Sequence, residues 1–290
     1  MSLAGHRSSK NTASPSFALA LGGGGARGLA HIHVIEALDE LGIRPLAIAG
    51  SSIGAIMGAG MAAGMRGGDI RDYTRSVFTK RGEVAARMWR ARPGSIGEMV
   101  QRGLNITQFN IERILGAFLP REIPETFGEL SIPLKVTATD FYGHKLHVIE
   151  DGELRSALAA SAALPAAFEP VKRDGKLLID GGFYNPVPFD LVQGLADIVI
   201  AVDVVGAPEE RPKRKPTTID LLYGANQLMM QSIIANKLAQ TQPDILLRPP
   251  VSRFRVLDFL KVDLVLADTA VLKDEVKRAV DAVLEKRDRG

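Results

Sequence analysis

Residues 17–28 read FALALGGGGARG, an apolar run that passes directly into four glycines. A short apolar run bounded by glycine is typical of a buried strand, and the apolar residues that follow recur at helical spacing as far as residue 41. A second apolar run at 45–49 leads into a helix of small residues at 53–65. A strand, a helix and another strand in this order predict a right-handed crossover and hence a parallel sheet.

The remainder of the chain continues this alternation. Five further apolar runs predict strands, at residues 133–139, 146–149, 176–179, 197–205 and 245–247. Segments with helical spacing predict helices at 153–163, 219–240 and 269–287. This order is typical of a three-layer α/β/α fold, in which helices cover both faces of a central, mostly parallel sheet.

The domain organisation is inferred from composition along the chain. Residues 1–15 are polar and rich in serine, and we expect a disordered N-terminal tail there. Residues 16–206 hold all but one of the predicted strands and are expected to form the main domain. Residues 207–290 predict a C-terminal extension of helices and one strand that packs on the same domain.

Composition excludes several classes of protein. Of the 290 residues 46% are hydrophobic and 24% charged, which is typical of a globular chain. Lys and Arg number 36 against 33 Asp and Glu, so charge does not indicate nucleic-acid binding. The lack of cysteine excludes disulfides, thiol nucleophiles and cysteine-ligated metal sites. Residues 46–65 are uncharged over a length that could span a bilayer, but their five glycines favour a buried strand, turn and helix.

The glycine loop, residues 23–28, matches the pattern G-x-G-x-x-G between a strand and a helix. A dinucleotide site with this pattern needs an acidic residue about twenty positions further on, and there is no Asp or Glu from Leu41 to Gly68. No Lys-Ser/Thr pair follows the glycines, which excludes a P-loop. Backbone N–H groups at a helix N-terminus can instead form an oxyanion hole. The candidate residues are Gly23, Gly24, Gly25, Ala26, Arg27 and Gly28.

Arg27 adds a cation to this loop, in the first turn of the predicted helix. The helix dipole disfavours a positive charge at that end. We therefore expect Arg27 either to brace the loop or to attract an anionic head group. The alternative for the whole loop is a tight strand-to-helix turn without a chemical role.

The serine elbow, residues 50–54, reads GSSIG and matches G-x-S-x-G between an apolar strand and a helix. In such a turn the Ser52 hydroxyl projects outward, and Gly50 and Gly54 let strand and helix approach closely. Ser52 is thus the candidate nucleophile. The alternative is a packing turn in which Ser51 caps the helix.

A serine nucleophile needs a proton acceptor, and histidine is a poor candidate in this chain. No histidine follows residue 147, although the usual hydrolase order places histidine last. His31 and His33 are two apart on a predicted helix and face different directions. His144 and His147 flank a strand three residues apart, so at most one of them could face a site. We expect all of them to be surface or hydrogen-bonded polar residues.

Asp180 is the stronger candidate for the base. It ends the apolar run LLID and is followed by Gly181 and Gly182, which permit a tight turn. We expect this turn to bring Asp180 to the carboxyl edge of the sheet, where ligand crevices form. Asp140 and Asp203 also end predicted strands, so the residues by themselves leave the choice open.

The chain resembles the bacterial patatin-like phospholipases. The resemblance is carried by the glycine loop, the serine elbow and the Asp180-Gly181-Gly182 box in that order, and it extends over residues 17–205. Further matching features are Ser161-Ala162-Ala163-Leu164-Pro165, Phe168, Pro170 and Asn185-Pro186. His33 departs from the pattern, because relatives often have glycine there.

The resemblance implies a patatin-like catalytic domain at 16–206 and a Ser–Asp dyad, with Ser52 as nucleophile and Asp180 as base. It also implies an oxyanion hole from the backbone around Gly24, Gly25 and Ala26, supported by Arg27. The expected activity is that of a serine acyl hydrolase that cleaves fatty-acyl esters of phospholipids or lysophospholipids through an acyl-enzyme. No cofactor, metal or nucleic acid is expected.

The sequence leaves two alternatives to this activity. One is a catalytically idle protein of the same fold that binds lipid or membrane, against which the presence of both dyad residues argues. The other is a nucleotide-dependent enzyme, which the missing ribose acid disfavours.

Two basic segments are candidates for contact with a lipid surface. Residues 66–102 hold nine Lys and Arg against four acids, together with Trp89, and residues 211–215 form a second basic cluster. Such segments can dock on anionic lipid, or can be solvated helix and loop surfaces. We expect a cytoplasmic protein that contacts an anionic membrane peripherally.

Overall fold

A computed structural model describes residues 14–90, 109–210 and 215–289, and the side chains of residues 87–90 lie outside it. Its strands are β1 (Phe17–Leu21), β2 (Ala47–Ser51), β3 (Leu134–Asp140), β4 (Lys145–Ile149), β5 (Val171–Arg173), β6 (Lys176–Asp180), β7 (Ile198–Val202) and β8 (Ile245–Leu247). Its α-helices are α1 (His31–Glu40), α2 (Ile53–Ala62), α3 (Gly67–Phe78), α4 (Arg81–Arg90), α5 (Ile111–Phe118), α6 (Leu154–Ser161), α7 (Thr218–Gln240), α8 (Val262–Asp268) and α9 (Leu272–Asp288).

The eight strands form one mixed sheet. β3, β2, β1, β7 and β8 are parallel neighbours in that order, whereas β4, β5 and β6 run antiparallel to the strands they pair with. The prediction of a central, mostly parallel sheet between helices is therefore confirmed. β8 belongs to the same sheet although it lies beyond residue 206, and α9 packs against α1.

Alternation along β1 explains the three layers. Leu19 and Leu21 contribute to a large core with α1, α2 and α9, and Ala18 and Ala20 contribute to a second core on the other face. α7 covers that second face with Met230 and Ile234. Successive side chains of a strand point to opposite faces, so a strand that is apolar throughout requires cover on both.

Several element boundaries differ from the predictions. The helix predicted after the glycines begins as a 3-10 turn, Gly25–Ala30, before α1; such tighter turns are frequent at helix N-termini. The helix predicted at 269–287 corresponds to α9, which begins at Leu272, and α8 was not predicted. β5 was not predicted, because three residues in a hairpin with β6 carry too short a pattern to detect.

One edge of β3 is shared by two strands that run toward each other. Ala138 pairs with both β4 and β6, and Thr137 pairs with both β4 and β2, so β2 and β6 must lie on the same edge, opposite β4. β2 ends with Ser51 beside Thr137, and β6 ends with Asp180 beside Ala138. The carboxyl ends of β2 and β6 consequently meet head to head.

Asp180 lies at the carboxyl end of the parallel strand β2, as expected, but it does not end a parallel strand itself. β6 is antiparallel to β3, so Asp180 arrives at this edge from the opposite direction. The aspartate reaches the end of β2 because β6 occupies the part of the β3 edge that β2 leaves free.

The uncharged window at 46–65 forms β2 and α2, as expected. None of the helices in the described part of the chain is both long and apolar enough to cross a bilayer. The predicted tail falls largely on residues 1–13, outside the described residues. The same holds for residues 91–102 of the first basic segment, for the side chain of Trp89 and for residues 211–214 of the second segment.

Gly54 provides a test of the contact between α2 and β1. A Cβ on Gly54 would lie 2.1 Å from the Leu21 carbonyl oxygen, so Gly54→Ala forces the helix away from the strand. We expect it to lower the free energy of unfolding by about 3 kcal/mol in urea titrations.

The matched control is Gly116→Ala in α5, where an added Cβ meets nothing within 4 Å. That change should stabilise the protein by roughly 0.5–1 kcal/mol, because alanine is the better helix former. Equal effects of the two substitutions would contradict the proposed close contact.

Candidate active site

Ser52 lies at the turn between β2 and α2 with φ 53° and ψ −123°. A positive φ is unusual for a residue with a side chain and stores strain, which is characteristic of a nucleophile elbow. The Ser52 N–H donates to the Ser161 Oγ over 2.8 Å, and the Ser52 carbonyl accepts from the Ala55 N–H. The first hydrogen bond ties the turn to α6, and the second ties it to α2.

Ser161 is a site residue whose role no pattern in the sequence predicts. In the sequence it is only part of a motif shared with the resembling family, and in the structure it is fully buried at the end of α6. A serine on a small-residue helix gives no signal that its hydroxyl accepts a backbone N–H from a turn 109 positions away.

Ser52 and Asp180 are in direct contact. The Ser52 Oγ donates to the Asp180 Oδ2 over 2.6 Å, and the Asp180 Oδ1 accepts from the Gly182 N–H over 2.8 Å. The Thr139 Oγ1 donates to the Asp180 carbonyl oxygen, which fixes the backbone behind the carboxylate. The geometry requires no further residue between hydroxyl and carboxylate.

The Asp180 carboxylate is buried, with 6% of the residue exposed. Burial raises its pKa to about 6, and the hydrogen bonds from Ser52 and Gly182 oppose that shift in part. Asp180 is therefore ionised at neutral pH but is a stronger base than an ordinary carboxylate.

The two other strand-end aspartates have different partners. Asp140 accepts from the Gly143 N–H in the turn between β3 and β4. Asp203 accepts from the Val205 N–H and from Arg248. Neither is hydrogen-bonded to Ser52, so the structure brings only Asp180 to the elbow.

The histidines of the described chain form no hydrogen bond with Ser52 or Asp180. The His31 Nε2 lies 2.8 Å from the Gly22 carbonyl oxygen, and the His33 Nε2 lies 2.9 Å from that of Leu266. Burial lowers the pKa of His31 to about 4, so its ring is neutral and its Nε2–H donates to Gly22. The hydrogen bond between His33 and the Leu266 carbonyl joins α1 to the end of α8. This contact gives a structural reason for a residue larger than glycine at position 33.

The glycine loop lies beside the elbow, but not all of its backbone N–H groups are free to bind an oxyanion. The Gly23 N–H donates to the Pro186 carbonyl and the Ala26 N–H to the Val256 carbonyl. The expectation that these two amides form an oxyanion hole is therefore wrong for this geometry, because both are already hydrogen-bonded. Within the described chain, the N–H groups of Gly24 and Gly25 have no such partner.

Gly24 and Gly25 line the same cavity as Ser52. Gly25 has φ +59°, and a Cβ there would lie 2.1 Å from the Val256 carbonyl oxygen, so only glycine fits. Two unpaired amides beside a hydroxyl are the donors that an oxyanion requires.

The remaining predicted residues support these turns. Gly28 abuts Ile53, Gly50 abuts Ala55 and Gly181 abuts Thr137. Gly182 lies against Met230 of α7. Arg27 is buried and lines the Ser52 cavity, where its guanidinium makes no hydrogen bond or ion pair to the described chain.

A largely apolar cavity of about 590 Å³ opens at Ser52 and Asp180. Its size is within the range of small-molecule sites. Its walls come from α2, α3, α5 and the segments around Phe168 and Phe259, and they include Met57, Ile70, Phe78 and Leu115. No cluster of three or more His, Asp or Glu side chains suited to a metal occurs in the described residues.

Comparison with known proteins gives the family. The model of the patatin-like phospholipase family matches residues 19–192. An uncharacterized NTE family protein of Mycobacterium tuberculosis is 37% identical over 206 residues, which are 71% of this chain and 53% of that protein. The lysophospholipase nte1 of Aspergillus fumigatus is 27% identical over 89% of this chain and 18% of its own length.

Among solved structures, VipD from Legionella pneumophila aligns with a TM-score of 0.48 and 14% identity, covering 90% of this chain and 67% of that one. The chain spans about half the length of the mycobacterial relatives it matches. The family model covers more than half of the chain, and the resemblance seen in the motifs is confirmed. The chain belongs to the patatin-like phospholipase family.

Proposed function

We propose that this protein is a serine acyl hydrolase that cleaves fatty-acyl ester bonds of phospholipids or lysophospholipids. The observation that carries the proposal is the 2.6 Å hydrogen bond from the Ser52 Oγ to the Asp180 Oδ2 at the end of an apolar cavity. A buried carboxylate in contact with a strained, half-buried serine is an arrangement for nucleophilic catalysis.

In the first step the Ser52 Oγ attacks the ester carbonyl carbon while its proton passes to the Asp180 Oδ2. The carbonyl oxygen becomes an oxyanion, which the N–H groups of Gly24 and Gly25 stabilise by about 3 kcal/mol each. The C–O bond to the alcohol then breaks, and Asp180 returns the proton to the leaving oxygen. The products are an alcohol or glycerophospho compound and an acyl ester on Ser52.

In the second step water attacks the acyl-enzyme. Asp180 takes a proton from the water, and the same amides stabilise the second oxyanion. The bond to Ser52 breaks, the serine recovers its proton from Asp180, and the fatty acid leaves. One carboxylate serves as base and acid in both halves because its raised pKa lies near neutral pH.

The substrate class rests on the cavity and on the family. Apolar walls next to Ser52 suit an acyl chain, and exposed Ile219, Leu257 and Leu260 line the same cavity toward solvent, which supports entry from a lipid surface. The names of the family and of the Aspergillus relative point to phospholipids and lysophospholipids. A catalytically idle lipid-binding protein would have no need of a strained Ser52 bonded to a buried Asp180.

Ser52→Ala should abolish labelling by a fluorophosphonate probe and lower hydrolysis of a p-nitrophenyl acyl ester at least about 10³-fold, because the nucleophile is removed. Ser51→Ala is the matched control: Ser51 is buried in β2 and its Oγ has no partner in the described chain. That variant should keep labelling and turnover. Labelling that persists in Ser52→Ala would end the proposal.

The pH dependence of kcat/KM should show an acid limb with an apparent pKa of about 6. Burial raises the pKa of Asp180 to about 6, and the protonated carboxyl cannot accept the Ser52 proton. Below that pH we expect a tenfold loss per pH unit in a buffered assay with a short-chain ester. An acid limb near pH 4 would contradict a buried base.

Asp180→Asn should abolish turnover and at the same time stabilise the fold at pH 8 by roughly 2 kcal/mol in urea unfolding. The folded state holds the Asp180 proton more tightly than an ordinary carboxyl with pKa 3.8. Stability from this group is present below about pH 4 and is lost as pH rises through about 6. The gain in the variant should accordingly shrink at pH 5.

Asp140→Asn is the control for turnover. Asp140 is equally buried at a strand end, but within the described residues its carboxylate accepts a hydrogen bond only from the Gly143 N–H. The variant should retain hydrolysis. A loss of activity in Asp140→Asn equal to that in Asp180→Asn would remove the specific role of Asp180.

A further inference from the structure

The first half of α7 is apolar on its outer side as well as on the side that packs against the sheet. Met230 and Ile234 belong to the core on the inner side. On the outer side four large apolar side chains are each 56–60% exposed: Leu221, Leu222, Leu228 and Met229. They recur at helical spacing, so they form one stripe along the helix. A helix that is hydrophobic all round is normally covered on both sides.

The outer side of α7 also lacks charge. Residues 221–236 contain no Asp, Glu, Lys or Arg. Asp220, which precedes them, forms an ion pair with Arg255 over 2.9 Å, and Lys237, which follows them, forms one with Asp190. A contiguous apolar surface of this kind usually marks an interaction site.

This surface continues to the mouth of the catalytic cavity. Ile219 in the first turn of α7 is exposed, as are Leu257 and Leu260, and all three line the cavity that holds Ser52. Leu257 and Leu221 also line a neighbouring cavity beside α7. The three mouth residues and the four outward residues of α7 therefore form one surface, which we call the entrance face.

The acidic residues that flank the entrance face in the sequence are paired. Besides the pair at Asp220, Asp258 accepts from the Lys261 Nζ over 2.8 Å and Asp263 from the Arg75 Nε over 2.7 Å. An unpaired carboxylate would be costly to bring against a medium of low dielectric constant. The entrance face can therefore approach such a medium without leaving these carboxylates unpaired.

Access to Ser52 decides which occupant fits this face. A second copy of the chain, or another protein, seated on Ile219, Leu257 and Leu260 would cover the mouth through which substrate enters. A lipid surface on the same residues would instead supply the substrate there. An acyl chain would then pass from the bilayer into the apolar cavity without crossing water.

We propose that the entrance face docks on a zwitterionic lipid bilayer, with the outer side chains of α7 inserted at the boundary between head groups and acyl chains. The inference rests on the proposed hydrolase function and adds the surface through which the substrate is taken up. It differs from the expectation for the basic segments, because apolar insertion requires neither anionic lipid nor low salt.

The binding test uses full-length Ser52→Ala and vesicles of phosphatidylcholine alone. The protein should float with the vesicles at low salt and equally at about 1 M NaCl, where charges are screened within about 3 Å. Adding Leu222→Gln and Met229→Gln should weaken binding about 10- to 100-fold, since each leucine-sized side chain removed from water contributes roughly a factor of ten. Binding that requires anionic lipid, or that is unchanged in this variant, would overturn the inference.

The matched control replaces two apolar residues that are exposed elsewhere, Leu46→Gln with Leu195→Gln. Both precede parallel strands, β2 and β7, and so lie at the edge of the sheet opposite to Ser52. This variant should bind vesicles as Ser52→Ala alone does. An equal loss of binding would show that overall hydrophobicity, and not the entrance face, is responsible.

A probe on α7 tests the orientation. The chain has no cysteine, so Leu222→Cys can be labelled at one position with a polarity-sensitive fluorophore. Its emission should shift to the blue when phosphatidylcholine vesicles are added, whereas the same label at Leu46→Cys should not respond. A label at residue 222 that stays in water would contradict insertion.

Sedimentation without lipid tests the competing occupant. The wild type should be a monomer. A dimer that dissociates on Leu222→Gln with Met229→Gln would assign the entrance face to a second copy of the chain and overturn the inference.

Activity measurements separate this inference from the proposed function. Leu222 and Met229 do not line the catalytic cavity, so their double variant should hydrolyse a dissolved short-chain ester at the wild-type rate and lose at least about tenfold on phosphatidylcholine vesicles. If the wild type hydrolyses no ester but binds vesicles through these residues, the hydrolase proposal fails and the docking surface stands. If it hydrolyses the dissolved ester and binds no vesicles, the hydrolase stands and the docking surface fails.

Discussion

Two strands that run toward each other along a single edge of β3 place a hydroxyl and a carboxylate in contact. β2 stops beside Thr137 and β6 stops beside Ala138, so their carboxyl ends have no room to continue. The chain leaves through a strained turn at Ser52 on one side and through two glycines after Asp180 on the other. The short hydrogen bond between these residues is a consequence of that head-to-head meeting.

Several features of the site are energetically unfavourable and require support from the surrounding structure. Ser52 has a positive φ, Asp180 is a buried carboxylate and Arg27 is a buried cation. Support comes from α7, where the Lys237 Nζ donates to the Asn185 Oδ1 over 2.5 Å and so holds the loop after Asp180. The carbonyl oxygen of Pro186, the next residue in that loop, accepts a hydrogen bond from the Gly23 N–H. α7 thereby connects the aspartate turn to the glycine loop, and strain is retained only where the neighbouring elements fix it.

The proposed chemistry uses the cavity and the glycine loop together. The walls beside Ser52 are largely apolar, so an acyl chain bound there would be removed from water. Gly24 and Gly25 line the same cavity, and their N–H groups have no backbone partner in the described chain. An ester held by its acyl chain would be oriented at Ser52 by binding energy remote from the reacting bond.

Local pattern in the sequence determined seven of the eight strands of the described chain, the elbow, the glycine loop and the mostly parallel sheet, because each of these depends on neighbours close in the chain. It also named Ser52 and Asp180 as candidates, but it could not choose Asp180 over Asp140 and Asp203, since all three end strands. Only the tertiary structure decided that β6 is antiparallel and shares an edge with β2, that Ser161 holds the elbow, and that two loop amides are already hydrogen-bonded. Register and long-range hydrogen bonds join residues more than a hundred positions apart, and no periodicity along a chain encodes which of them will meet.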